Sequence, residues 1–250
     1  MRLVLVFMML FTLSFAEGGF DEEFDDSFDD EFAAVEVKDD FDPLAGYNRA
    51  MTTFNDAFYR NVFFPVAKGY VAVMPEDVRE SIDNFFSNLG FPLRFINNLL
   101  QLKFKNAFIE SERFLLNSTV GILGLFDPAY YWYDLKPKDE DLGQTLGFYG
   151  VGGGFHIVLP IIGPSNLRDS LSMLAEWQVD PLSYSAYNQY QGNDETTKTL
   201  LISAGISSFK YFNRYSGMEQ EYNTITKDAV DKYILFKNMY EQKRQKEIEE

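Results

Sequence analysis

Residues Arg113 to Ala129 read RFLLNSTVGILGLFDPA: apolar through the middle, punctuated by Gly121 and Gly124, and polar at both ends. A helix needs roughly 20 consecutive apolar residues to cross a hydrocarbon core, and this stretch falls short. No later stretch reaches that length either. The body of the chain is therefore not expected to be a transmembrane helix protein.

The chain opens with Arg2, an apolar run from Leu3 to Leu13 and then Ser14-Phe15-Ala16. That is the layout of a secretory signal with a small-x-small cleavage site before Glu17, so export is expected. There is no cysteine. Disulfides and thiolate metal sites are excluded, and an oxidising compartment leaves the chain covalently unconstrained.

The net charge of −16 is unevenly placed: Glu17 to Asp42 holds 13 acids against Lys38 alone, which accounts for −12. The remainder is close to neutral, and nucleic acid, which needs a basic footprint, is not an expected partner. Within the acidic stretch Phe20, Phe24, Phe28 and Phe32 stand four apart. Such charge density favours a solvated, disordered spacer, whereas the phenylalanine spacing suits a helix that folds against a partner's apolar groove. Both readings stay open. The sequence also carries 25 Phe and 15 Tyr, more than one core obviously needs.

From Asn48 onward the punctuation is helical. Pro75 followed by Glu76 and Asp77 suits a helix start, with Val78, Ile82, Phe85, Phe86 and Leu89 on one face and Gly90 before Pro92 closing it. A second helix is expected from Pro92 to about Leu102, with Phe95, Ile96, Leu99 and Leu100 apolar. A third runs to about Asn117 and carries Phe104, Ala107, Phe108 and Leu115. Pro65 is expected to open a short helix kinked from its predecessor. Leu167, Leu171 and Leu174 mark a helix after Pro164. Tyr222 to about Lys246 reads as one long helix with Tyr222, Ile225, Ala229, Tyr233, Phe236 and Tyr240 as its apolar stripe and a frayed end. Between Gly143 and Gly163 the glycines suit turns rather than a helix interior, and FHIVLPIIG, with Pro160 confined to an edge, reads as extended or irregular chain.

Catalysis has little to work with. His156 is the sole histidine, no G-x-S-x-G elbow is present, and no acid or histidine cluster has metal-ligand spacing. GVGGG lacks both the Walker lysine and a complete G-x-G-x-x-G. No enzyme activity, cofactor or metal is expected, and His156 is read as a packed or interfacial ring. Asn117-Ser118-Thr119 fits a glycosylation acceptor, but the same residues cap and turn a helix end, which is the preferred reading.

Six blocks in one order carry a resemblance: DPLAGYNR (Asp42 to Arg49), NFFSNL (Asn84 to Leu89), NNLLQ (Asn97 to Gln101), the Arg113 to Ala129 segment, EDLGQTLGFYGVG (Glu140 to Gly152) and VLPIIGPSNLRD (Val158 to Asp169). Together they resemble the VacJ/MlaA family, outer-membrane proteins that maintain lipid asymmetry in Gram-negative bacteria. DKYILFKNMYEQKR (Asp231 to Arg244) is similar to the family's closing helix. The family's signal ends in a lipidated cysteine, which this chain lacks, and Phe155 stands where the family often has proline.

The resemblance implies an all-α domain over residues 42–250, following a signal peptide (1–16) and an acidic arm (17–41). Its amphipathic helices would form a ring-like platform embedded in one leaflet, with a glycine-rich irregular segment. It places an amphipathic hairpin at Asn117 to Asp139, hinged by Gly143, Gly147, Gly150 and Gly152. Asn48, Arg49, Arg113, Asn117, Gly121, Gly124, Asp127, Arg168 and Asp169 are its matched lipid-path or hairpin positions, each open to a structural reading as cap, ion pair or close packing. Tyr130, Tyr131, Trp132 and Tyr133 suit head-group depth. Exposing both acyl chains of a phospholipid to water costs on the order of 20 kcal/mol, and a head group faces the mirror problem in hydrocarbon. A polar gap ringed by flat amphipathic helices meets both demands. The implied function is retrograde transport: mislocalised phospholipid leaves the outer leaflet through a passive channel and passes to a soluble periplasmic carrier, with a trimeric porin holding the protein in place. Its expected location is the periplasmic face of the outer membrane, without lipidation. The alternative is an outer-membrane interaction scaffold that moves no lipid; a lipid hydrolase is disfavoured by the missing nucleophile.

Overall fold

A computed structural model describes residues 42–177 and 195–250, with side chains for 42–176 and 204–250. The signal segment and the acidic arm before Asp42 lie outside the described residues.

Helix α1 (Ala45–Phe58) runs through a π-helical turn (Tyr59–Phe63) into α2 (Phe64–Val73). Pro65 has no N–H to donate, and its ring crowds the carbonyl four residues back. The chain does not stop there; one widened turn, in which Phe64 N–H donates to Tyr59 O, takes up the mismatch. Helices α3 (Glu76–Leu89), α4 (Phe91–Leu100) and α5 (Phe104–Thr119) follow near their expected bounds. A short α6 (Pro128–Tyr133) is N-capped by Asp127, and α7 (Leu142–Phe148) by a capping box between Asp141 and Gln144.

Two expectations are corrected and one is sharpened. First, FHIVLPIIG, read as extended or irregular, is extended: β1 (His156–Leu159) pairs antiparallel with β2 (Gly163–Asn166), from His156 opposite Asn166 to Leu159 opposite Gly163. Pro160 causes no conflict because it lies in the connecting turn. Second, Gly143 and Gly147 sit inside α7, where the capping box holds the helix despite their entropy cost. Third, the expected long C-terminal helix is two: α10 (Glu219–Thr226) and α11 (Lys232–Glu249), separated where the Asp231 carboxylate accepts the Tyr233 and Ile234 N–H groups and starts a new helix. Helix α11 continues to Glu249 rather than fraying at KRQKEIEE, because Arg244 in its last turns is buried and ion-paired. The remaining helices are α8 (Leu167–Trp177) and α9 (Glu195–Tyr215).

Packing runs round a circuit. Helix α1 meets the hairpin and α11; α11 meets α7; α7 meets α8 and α4; α4 meets α5 and α3; and α3 meets α9. Helix α9 returns to α2 through Tyr70 Oη, 2.6 Å from Asn213 Oδ1, and through ring contacts of Phe63 and Tyr70 with Phe212.

The interior of this circuit is polar. The largest fully buried side chains are Gln101, Glu110, Asn48, Asn98 and Asn166, and buried polar residues outnumber buried apolar ones among the described residues. On α4, Arg94, Asn97 and Asn98 face inward while Ile96, Leu99 and Leu100 are exposed. On α5, Glu110, Arg113 and Asn117 face inward while Phe104, Phe108 and Leu115 are exposed. The same holds for α8, where Arg168, Asp169, Ser172 and Glu176 are buried and Leu171 and Leu174 are not. Spacings of three and four put each polar set on one stripe of its helix, turned opposite to a water-soluble helix. Among the described residues no helix is long and apolar enough to cross a membrane.

Two asparagines tie α1 to the hairpin. Asn48 donates to His156 O (3.0 Å) and accepts from Val158 N–H (2.8 Å); three residues further along, where β1 passes into the turn, Asn55 donates to Leu159 O (2.9 Å) and accepts from Ile161 N–H (2.6 Å). Seven residues apart, they lie on one helix face and act as the third strand that β1 lacks. Asn55→Ala is expected to lower the unfolding free energy by about 1–3 kcal/mol for each main-chain group left unpaired, measured by chemical denaturation.

Candidate functional site

Four clusters build the polar interior. The first anchors the Asn117 to Asp139 hairpin. Arg113 Nη2 lies 2.7 Å from Asp127 Oδ2 and Arg113 Nη1 donates to Leu135 O, while Asn117 donates to Asp127 Oδ1 (2.8 Å) and accepts from Ala129 N–H (3.2 Å). Behind them Glu110 pairs with Arg94 (2.8 Å) and accepts the Lys138 N–H (2.7 Å). Tyr131 adds an outer tether by donating to Glu80 on α3, and that hydrogen bond, with burial, pushes its hydroxyl up to about 12. The cleft enclosed by Asn84, Asn88, Arg94, Arg113, Asn117 and Asp127 has a free volume of about 10 Å³, room for about one water.

The second cluster joins α4 to α7: Gln101 donates to Glu140 (2.7 Å), Lys103 pairs with it at 2.5 Å, and Thr145 donates to Asn97 (2.9 Å). Burial raises the Glu140 carboxyl despite Lys103 and Gln101. The third joins α7, α8 and α11. Arg244 bridges Asp141 (2.7 Å) and Asp169 (2.9 Å), and Arg168 pairs with Asp169 at 2.7 Å. Tyr240 and Asn166 also donate to Asp169. Burial pulls Asp169 upward, but Arg168, Arg244 and Tyr240 outweigh it and hold the carboxyl below its ordinary range; burial dominates at Asp141, which is raised. The fourth sits around Asn48, where Tyr233 donates to Asp42 and Arg49 pairs with Asp231 on the surface. His156 is buried here with Nδ1 2.9 Å from Glu241, as a packed ring.

The structure thus brings Arg113, Asn117, Gly121, Gly124 and Asp127 together, places Arg168 with Asp169 in a separate cluster, and puts Asn48 and Arg49 in another. All these polar residues are engaged with protein groups. Residues that the sequence reading did not single out complete the clusters: Arg94, Gln101, Glu110, Glu140, Asp141 and Arg244. Their signal was available in part, because Arg94, Asn97, Asn98 and Gln101 recur at three- and four-residue intervals through an otherwise apolar helix.

The glycines divide into two sets. A Cβ on Gly143 would lie 2.3 Å from Asp169 Oδ1 and 2.6 Å from Arg244 Nη2, and one on Gly147 would lie 2.5 Å from Ile248 Cδ1. These two let α11 pack against α7. Gly150 (φ 84°) and Gly152 have open space around them and belong to the irregular segment before β1. Tyr130, Tyr131, Trp132 and Tyr133 all face outward from α6.

A closed circuit of short helices with polar groups inside and an apolar rim outside defines a class: an inverted helical ring in which, among the described residues, no helix is long and apolar enough to cross a membrane. The chain belongs to the MlaA lipoprotein family, whose profile matches residues 40–247. It is 30% identical over 212 residues to the intermembrane phospholipid transport system lipoprotein MlaA of Haemophilus influenzae, covering 84% of this chain and 80% of that protein. It is 32% identical over 173 residues to the protein of the same name from Escherichia coli K12, covering 66% and 69%. A solved structure from work on the structural basis for maintenance of bacterial outer membrane lipid asymmetry superposes with a TM-score of 0.65 at 28% identity, covering 83% of this chain and 98% of that one.

Two outcomes check the site. Gly143→Ala should destabilise by about 1–3 kcal/mol through forced displacement of Asp169 and Arg244, read as a lower melting temperature, whereas Gly152→Ala should melt like the parent. Asp169→Asn leaves two guanidiniums without their shared anion and should cost roughly 3–5 kcal/mol at neutral pH. Because the folded Asp169 is depressed, its contribution is present above the unfolded value of about 3.9 and is lost as pH falls through the lower folded value. The deficit of the variant in chemical denaturation should therefore shrink toward pH 3.

Proposed function

We propose that this chain carries phospholipid passively, taking mislocalised molecules from the outer leaflet of the outer membrane and delivering them to a soluble periplasmic carrier. The observation that carries this reading is the inverted ring, polar inside and apolar outside, the distribution needed to pass a charged head group while its tails stay in an apolar surrounding. The names of the H. influenzae and E. coli relatives agree with it. The protein works without catalysis and sits at the periplasmic face of the outer membrane, held by a trimeric porin. With no cysteine in the sequence to take a lipid, we assign its attachment to the exposed aromatic and aliphatic rim. The acidic arm serves as a spacer or partner contact ahead of the 42–250 domain.

In this reading the Arg113–Asn117–Asp127 cluster is the polar wall that a head group meets, and the hairpin it anchors opens the route. Gly150 and Gly152, free of packing, provide the soft segment; Gly143 and Gly147 do not.

The test is deletion of the gene in its own cell followed by complementation. Deletion should raise the outer-leaflet phospholipid accessible to an added phospholipase, the intact chain should restore the low level, and the protein purified in mild detergent should carry phospholipid. A protein that copurifies with a porin, carries no lipid and leaves outer-leaflet phospholipid unchanged on deletion would be the non-transporting scaffold instead.

A further inference from the structure

Every other arginine among the described residues pairs with a carboxylate, from Arg49 with Asp231 to Arg244 with Asp141; Arg79 on α3 does not. The carboxylate placed to meet it is Asp83, one turn along at i+4. Asp83 is taken: Arg214 of α9 holds it at 2.9 Å. The other acids close by are engaged elsewhere, Glu80 with Tyr131 and Glu219 with Lys68. Two guanidiniums therefore share one carboxylate at this corner of the ring, and one positive charge is left over.

The guanidinium is nonetheless held in place. Its Nη1 donates to Ser216 Oγ at 3.3 Å, the long end of the range for such a bond. The Arg79 main-chain O accepts from Asn213 Nδ2 (2.8 Å), and Asn213 accepts from Tyr70 Oη (2.6 Å). Asn213 and Ser216 are buried. Arg79 Nε is buried as well and has no hydrogen-bond partner. The Nε–Nη2 edge, two donors pointing the same way, is thus unused among the described residues. This corner is also linked to the hairpin cluster. Burial works against the Arg214 charge, but Asp83 and Asp139 are among the groups that hold it above its ordinary range, and Arg94 lies 3.3 Å from that same Asp139.

We propose that Arg79, steadied by Ser216 and Asn213, is a docking site for a phosphate group, and that the phosphate it takes belongs to a phospholipid head group moving on from the hairpin cluster. The inference deepens the transport reading above and rests on it. The free edge of a guanidinium meets two oxygens of a phosphate side by side, a bidentate geometry that an ammonium cannot offer. The unmatched positive charge favours an anion over a neutral or cationic group. At the hairpin a phosphate has to displace Asp127 from Arg113, which it holds at 2.7 Å. Arg79 has no carboxylate to give up, so of the two places it is the one where a phosphate binds at least cost.

The test uses the full chain, delipidated in mild detergent, and follows the Arg79 Nε–H signal by nitrogen–proton correlation NMR, the signal being assigned as the one missing from Arg79→Lys. Short-chain dihexanoyl phosphatidylethanolamine should shift that signal to saturation. Arg79→Gln should bind the same lipid at least about tenfold more weakly. Because that substitution strands no carboxylate, it should melt with the parent; if it unfolds instead, the response of the parent's own signal decides. Inorganic phosphate is titrated in parallel and should move the signal only at far higher concentration. An equal response to inorganic phosphate would make this a free-anion site and overturn the head-group assignment. Lipid binding that leaves the Arg79 signal unmoved, or an Arg79→Gln chain that binds as tightly as the parent, would overturn the inference and leave the transport reading standing. If the parent binds no lipid at all, both fall.

Discussion

In this ring the polar side chains turn inward and the large apolar ones outward, and every cluster follows from the requirement that buried polar groups be paired. Single polar groups cannot be buried cheaply, so they come in closed sets: Glu110 with Arg94 and the Lys138 N–H, Asp127 with Arg113 and Asn117, Asp169 with Arg168, Arg244, Tyr240 and Asn166. Such sets add little net stability over a well-packed apolar interior, but losing one member strands a buried charge. They fix geometry more than they add stability. That is why a fold with so few buried apolar side chains among the described residues still has defined helix positions.

The same requirement sets where backbone approaches closely. Arg244 reaches both Asp141 and Asp169 only because Gly143 removes the side chain that would stand between them. The β1 edge is closed by two asparagine side chains rather than by another strand, which ties the hairpin to the first helix of the domain. Helix α11 therefore joins the last residues of the chain to α1, α7 and β2, closing the circuit from the far end.

Much of this was legible in the sequence, though the direction in which the helices face was not legible from periodicity alone. The three- and four-residue spacing that places Phe104, Phe108 and Leu115 on one helix face is the same whether that face turns inward or outward. The six ordered blocks pointed to the family and with it to the mostly helical fold that the structure shows. Local chemistry explains the misses. Glycine content suggested turns over 143–154, but the Asp141–Gln144 capping box outweighed it for one short helix. Pro160 left FHIVLPIIG open between extended and irregular chain, because its position in the turn after β1 is not visible from composition. Arg113, Asn117 and Asp127 could be grouped from one segment, whereas Asp141, Asp169 and Arg244 lie far apart in sequence and meet only through folding.

The distribution of tight and loose contacts also says which part of the ring can move. Helix α7 is held by its capping box, by Thr145 and by close packing against α11, so a displacement there would break several buried pairs at once. The hairpin is different. Its return strand from Leu135 to Asp139 meets the body through hydrogen bonds and ion pairs on one side, Arg113 to Leu135 O, Asn98 to Lys138 O and Arg94 to Asp139, with no large apolar side chain of its own among the buried residues. Polar contacts of this kind exchange for others at small net cost, and an arriving phosphate or ammonium offers the replacement. On the proposed transport reading, a head group that reached Arg113 and Asp127 would compete with the contacts that hold this segment, which makes the hairpin, rather than α7, the part of the ring whose displacement costs least.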